Sequence, residues 1–175
     1  MKIVKAASYL KRQFTIRKLA GAILIIVLAW CLSVWMAQRL RISVTESAGG
    51  HIFWKIPCPN ILTTSTIVEV KPSVHDNYIP SPWRHTLIKR VACLPGHKLS
   101  VMGNSYYCDG FFLGTALTRT RDGKPISPWV MANGQEMILP DDLFFLMNHN
   151  AHSYDSRYYG PVSRDRITGC MLPLL

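Results

Sequence analysis

The chain has 175 residues, 49% of them hydrophobic, which suggests one domain with at most an appendage and argues against a disordered or low-complexity protein. Its net charge of +10 invites a nucleic-acid reading, but the charge is unevenly placed. Of the 20 bases, six (Lys2, Lys5, Lys11, Arg12, Arg17 and Lys18) fall in residues 1–18 with no acid among them, leaving 14 bases against 10 acids elsewhere. The excess is a basic flank rather than a basic face, so nucleic acid is not expected as a partner.

That flank abuts residues 19–37, LAGAILIIVLAWCLSVWMA, a run of 19 residues without a charge. A helix needs roughly 20 such residues to cross a hydrocarbon core. With six bases before the run and Arg39 and Arg41 after it, the positive-inside bias predicts three parts: a cytoplasmic basic flank at 1–18, a transmembrane anchor at 19–37, and an exported domain at 38–175. Trp30 and Trp35 lie in the second half of the run, and Trp35 suits the far interface. A cleaved signal peptide is the alternative. The run is long for one, and Trp35-Met36-Ala37 puts a bulky residue where an A-x-A site has a small one.

Beyond residue 40 the pattern becomes β-like. Short apolar or alternating segments at 52–56, 66–70, 86–93, 98–101, 105–108, 137–139, 143–147 and 166–171 are separated by Gly, Pro, Asn and Asp. Pro57, Pro59, Pro72, Pro80 and Pro82 break up residues 57–85. Met102-Gly103-Asn104-Ser105 reads as a hairpin turn and Arg121-Asp122-Gly123-Lys124 as another. The fold class is therefore mainly β, one exported domain on a single membrane helix. Cys31 lies in the span, whereas Cys58, Cys93, Cys108 and Cys170 are exported, an even number that suggests two disulfides with three possible connectivities. Cys93 and Cys108 flank a hairpin, which favours Cys93–Cys108 with Cys58–Cys170 over the other pairings; four free thiols are the alternative. The spacings match no zinc pattern.

Three polar interruptions of this pattern could carry chemistry. Just past the span, Ser43-Val44-Thr45-Glu46-Ser47-Ala48-Gly49-Gly50-His51 sets a serine before small residues and an apolar strand, which suits an exposed nucleophile, although on its own the segment reads first as a plain loop. In Leu87-Ile88-Lys89-Arg90-Val91, a lysine sits within an apolar strand, where burial of its charge is costly. Desolvation lowers a lysine's pKa, and a neutral amine can take a proton from serine. On a strand, Arg90 would point to the opposite face. The third segment, 148–162, concentrates polar groups. There Asp155 and Arg157 could share one face of an extended strand, and the Ser153 hydroxyl could hold a lysine amine.

Together these segments resemble the type I signal peptidases, the S26 serine peptidases. That family shows a serine segment after a membrane helix, then a strand with Lys-Arg-Val and Leu-Pro-Gly, then a late Ser-x-Asp-Ser-Arg-x-x-Gly-Pro-Val box. Here the last two read Lys89-Arg90-Val91-Ala92-Cys93-Leu94-Pro95-Gly96 and Ser153-Tyr154-Asp155-Ser156-Arg157-Tyr158-Tyr159-Gly160-Pro161-Val162. The chain's length, and the few residues after the box, are similar to the branch of the family that serves conjugative plasmid transfer. The serine segment departs from the pattern: Gly49 and His51 stand where the family has proline and glycine, while Thr45 and Phe53 fit. His97 replaces the usual aspartate after Leu-Pro-Gly. The resemblance implies a signal-peptidase-like β domain in the bacterial periplasm, anchored in inner-membrane lipid. It implies Ser47 as nucleophile (Ser43 the alternative), Lys89 as base, Thr45 supporting the oxyanion, Ser153 orienting Lys89, and Asp155 with Arg157 bracing the site. No metal or cofactor is implied. The implied partner is an exported precursor such as a conjugative pilin, cleaved and in some relatives cyclised, with a conjugation or secretion machinery as a further partner.

Other readings fit less well. The one Ser-x-x-Lys match, Ser8-Tyr9-Leu10-Lys11, lies in the basic flank, which argues against a penicillin-binding enzyme. A self-cleaving repressor would want a DNA-binding domain in place of the span. His149-x-x-His152 has no obvious third metal ligand nearby. A non-enzymatic scaffold of a conjugation or type IV secretion system would tolerate the irregular serine segment and needs no depressed lysine.

Overall fold

The computed structural model describes residues 2–43, 48–71, 86–131 and 136–174, with side chains from residue 17 onward. The chain divides into two units, one running through Leu40 and the other starting at Arg41. The first is essentially one helix, α1 (Lys2–Arg39). Its stretch Arg17–Arg39 is long and apolar enough to cross a membrane, which suits an anchor or a signal sequence. The hydroxyl of Ser33 donates back to the Ala29 carbonyl at 2.8 Å, so it is satisfied within the helix.

The second unit is built from strands β1 (Leu40–Ile42), β2 (Ile52–Ile56), β3 (Ile67–Val70), β4 (Leu87–Cys93), β5 (Lys98–Met102), β6 (Ser105–Cys108), β7 (Phe111–Thr115), β8 (Glu136–Ile138), β9 (Leu143–Met147), β10 (Val162–Ser163) and β11 (Ile167–Pro173). A four-residue helix, α2 (Ser156–Tyr159), and a 3-10 turn at Arg164–Arg166 interrupt them. Seven strands form one sheet in the order β1-β2-β11-β3-β4-β9-β10, and four form a second in the order β7-β6-β5-β8. The mainly β expectation holds, and the predicted strands match β2–β6, β8, β9 and β11 to within two residues. β1, β7, β10 and α2 were not anticipated. β7 had a signal: Asp109-Gly110 joins it to β6, both residues have positive φ, and Asp-Gly is the strongest short hairpin cue. Pro72, Pro80 and Pro82 lie outside the described residues.

Strand β9, LFFLM, is buried along four of its five positions because both of its faces are covered. Phe145 and Met147 pack with Leu99, Val101 and Tyr106 of the second sheet. Phe144 and Leu146 pack with Val68, Val70, Val91 and Val162. Period-two alternation thus divides one apolar run between two cores. On β4, Val91 joins one core and Cys93 the other, although residues two apart on a regular strand share a face. A register shift between them, where β4 pairs β9, reverses the side.

Cys93 is bonded to Cys108, joining the two sheets with Cα atoms 5.7 Å apart, and Cys58 is bonded to Cys170 at 4.9 Å. The bridges close loops of 15 and 112 residues. Chain entropy alone assigns them about 3 and about 5 kcal/mol. Replacing Cys58 and Cys170 by alanine is expected to lower the urea midpoint more than replacing Cys93 and Cys108.

Candidate active site

Two charged residues on apolar strands of the seven-stranded sheet are buried, with opposite outcomes. Glu69 on β3 is 1% exposed. It receives the Arg41 guanidinium at 2.7 Å, the Thr168 hydroxyl at 2.7 Å and the Lys55 ammonium. Burial pushes its pKa upward, but these bonds outweigh burial and hold the carboxyl below its ordinary range. Lys89 on β4, opposite Val68, is 6% exposed, and among the described residues no carboxylate is bonded to it. Among the described residues its one hydrogen bond is from Nζ to the Ser153 hydroxyl, at 2.8 Å. Burial therefore prevails: it lowers the lysine pKa to about 8, with Asp155 pulling upward and Arg157 downward. A lysine at that value is partly neutral near neutral pH and can accept a proton.

Ser153 reaches the amine because the segment after β9 folds back sharply. Asp155 caps α2, accepting from the Arg157 backbone N–H at 3.2 Å and Nε at 2.8 Å on one oxygen. Its other oxygen accepts from Arg157 Nη2 at 2.8 Å and the Asn148 N–H at 3.2 Å. Asp155 and Arg157 are thus paired through a helix start, not along one face of an extended strand as the sequence suggested. The cap bond turns the chain, and the arginine wraps back around its own carboxylate. Arg157 also donates to the carbonyls of Thr115, Asn150 and Ser153, at 3.1, 2.8 and 3.3 Å. The Ser156 hydroxyl accepts from the Leu146 N–H at 2.9 Å, tying α2 to β9. Tyr106 donates to the Trp129 and Arg157 carbonyls at 2.6 and 2.9 Å. All of Asn148, Ser153, Asp155, Ser156 and Arg157 are buried.

Thr45 and Ser47 lie outside the described residues, but both flanks of their segment are described. Ser43 N–H donates to the His51 carbonyl at 2.8 Å, and the His51 ring lies 3.3 Å from the Ser43 carbonyl. Ala48, next after Ser47, is buried with Phe53, Ile67 and Met171. Its carbonyl accepts from Arg90 Nη2 at 3.1 Å, while Arg90 Nη1 donates to the Ser65 carbonyl at 3.2 Å. Neighbouring residues of β4 thus hold two different segments: Lys89 reaches Ser153, and Arg90 reaches the residue after Ser47. Gly49 has φ +87°, and a Cβ there would lie 3.2 Å from Arg90 Nη2. Proline, locked near φ of about −65°, has no place at position 49. Arg90 and Asn148, which clasps the strand around Lys89, were not singled out as site residues in the sequence.

The remaining candidates lie apart from this cluster of contacts. His149 and His152 are exposed on the loop after β9. His97 Nδ1 lies 2.5 Å from Asp109 on the surface, and Cys108 beside them has its sulfur in a disulfide.

The model of the signal peptidase, peptidase S26, family matches residues 16–173. The chain belongs to the peptidase S26 family. It carries that family's mainly β, signal-peptidase-like fold, the fold of a serine peptidase, with an apolar helix before it. It is 28% identical over 145 residues to the conjugal transfer protein TraF of Agrobacterium fabrum, covering 82% of this chain and 76% of that one. It is 36% identical over 85 residues to a probable conjugal transfer protein TraF of Sinorhizobium fredii, covering 47% of this chain and 42% of that one. A signal peptidase I structure from Enterococcus faecalis is 19% identical with a TM-score of 0.37, covering 66% of this chain and all of the solved one.

Proposed function

We propose that this chain is a membrane-anchored serine endopeptidase in which Ser47 attacks the scissile carbonyl and neutral Lys89 takes its proton. The observation that carries the reading is the buried Lys89 amine, lowered to about 8 and held 2.8 Å from the Ser153 hydroxyl, with no carboxylate among the described residues bonded to it. The Ser47 N–H and the Thr45 hydroxyl would stabilise the oxyanion. Ser153 orients the amine, and Asp155 with Arg157 braces the segment that carries Ser153. The chemistry calls for no metal or cofactor.

In this reading residues 1–18 are cytoplasmic, 19–37 span the inner membrane and 38–175 form the periplasmic peptidase. A peptidase tethered to the membrane by its own anchor meets exported precursors as they emerge. The relatives named as conjugal transfer proteins favour a conjugative pilin as that precursor, with water or the pilin's own terminus resolving the acyl-enzyme.

The full-length chain should be labelled by a serine-directed acylating inhibitor of signal peptidases, and Ser47→Ala should not be labelled. Because the base must be neutral, labelling should rise about tenfold per pH unit below about 8 and level off above it. Labelling that persists in Ser47→Ala would sink the assignment of the nucleophile. A folded wild-type chain that takes no label at any pH would favour a non-enzymatic scaffold.

A further inference from the structure

We propose that Asn148 is a positioning residue for Lys89: its side-chain amide replaces the next rung of the β4–β9 ladder and fixes the strand on both sides of the lysine. This rests on the reading of Lys89 as the base.

Backbone pairing between β4 and β9 ends at Arg90↔Met147. One position later the chain must leave the strand, or Ser153 could not fold back over the amine. A simple departure would leave the Ile88 carbonyl without a partner on this side, and such an orphaned group is costly. Asn148 resolves the conflict. Its Nδ2 donates to the Ile88 carbonyl at 3.1 Å, and its Oδ1 accepts from the Arg90 N–H at 3.1 Å. Its main chain turns the other way: its N–H donates to Asp155 at 3.2 Å, and its carbonyl receives Arg157 Nη2 at 3.5 Å. The residue is 1% exposed. One asparagine therefore clamps the strand that carries the amine and starts the segment that carries the hydroxyl bonded to it.

The two ends of the amide are not equivalent. Aspartate at 148 could still accept from Arg90 but could not donate to Ile88, and it would add a buried negative charge beside the lysine. Among the described residues, the other charged groups on the elements packed around Lys89 are Arg90 on its own strand, Glu69 on β3, and Asp155 and Arg157 at α2. The loop histidines His149 and His152 are exposed.

The test uses the full-length chain in detergent, an internally quenched peptide with alanine at the first and third positions before the cut, and the acylating inhibitor. Asn148→Leu is expected to lower kcat about 10²-fold with little change in KM, the effect of a small misplacement of the base. Asn148→Asp is expected to move the acid limb of the labelling profile upward by about one unit, because a nearby carboxylate favours the charged lysine. The Asp variant carries the test if the Leu variant does not fold. A labelled wild-type chain with Asn148→Leu at wild-type kcat, or with the Asn148→Asp limb unmoved, overturns this inference alone. Absence of labelling in the folded wild-type chain overturns the Ser–Lys reading beneath it.

Discussion

Lys89→Met is expected to yield a protein that is catalytically inert and more stable than the parent at neutral pH. The folded state lowers the lysine from 10.5 to about 8, so it disfavours the charged form. Above 10.5 the amine is neutral folded or unfolded, and burial of charge costs nothing. Between about 8 and 10.5 the unfolded chain binds more protons than the folded one, so stability rises with pH across that window. Below about 8 both states are protonated and the full cost persists, about 3 kcal/mol from a shift of that size. Methionine fills a similar slot without a charge. It leaves the Ser153 hydroxyl without its donor, a loss of about 1 kcal/mol. The net gain should be about 2 kcal/mol in urea melts at pH 7, shrinking as the pH is raised toward 10.5. Activity should fall by about 10²–10⁴-fold or more, the usual contribution of a general base. A less stable Lys89→Met variant would mean that the lysine is not held against its charge.

The contrast between Lys89 and Glu69 marks how far the sequence could be read. A charge inside an apolar strand was visible in both Leu87-Ile88-Lys89-Arg90 and Ile67-Val68-Glu69-Val70. Which one is compensated was not, because the answer lies on other strands: Arg41, Lys55 and Thr168 reach Glu69 from β1, β2 and β11. The strand list was legible because alternation and turn residues are local signals. The switch of face between Val91 and Cys93 was not, because a bulge is defined by the partner strand. Asp155 and Arg157 were recognisable as a pair from their spacing, yet their geometry depends on a cap bond that makes a helix of four residues in a run resembling a strand. Asn148 reads as an ordinary strand-end residue, and only the departure of β9 from β4 gives its amide a task. The family motif drew attention to Gly49 as a departure from proline, and the positive φ and the close Arg90 guanidinium give that departure a physical basis.

The buried pair beside the lysine leads to the second large effect. Arg157→Met removes the donor from both Asp155 oxygens and from four carbonyls, leaving an unpaired carboxylate where Asp155 has no exposure. Breaking a buried pair from one side typically costs about 3–5 kcal/mol, which for a domain of this size removes much of the folding free energy. The measurable consequences go beyond stability. Asp155 raises the Lys89 pKa and Arg157 lowers it. In the fraction of Arg157→Met that remains folded, the acid limb of the labelling profile should therefore move upward from about 8. Asp155→Asn keeps a side-chain oxygen toward the arginine but removes the negative charge, so its limb should move downward. Opposite shifts from the two halves of one ion pair are the signature of a field acting on the amine. A common direction, or no shift in either, would mean that the pair serves only to hold Ser153 in place.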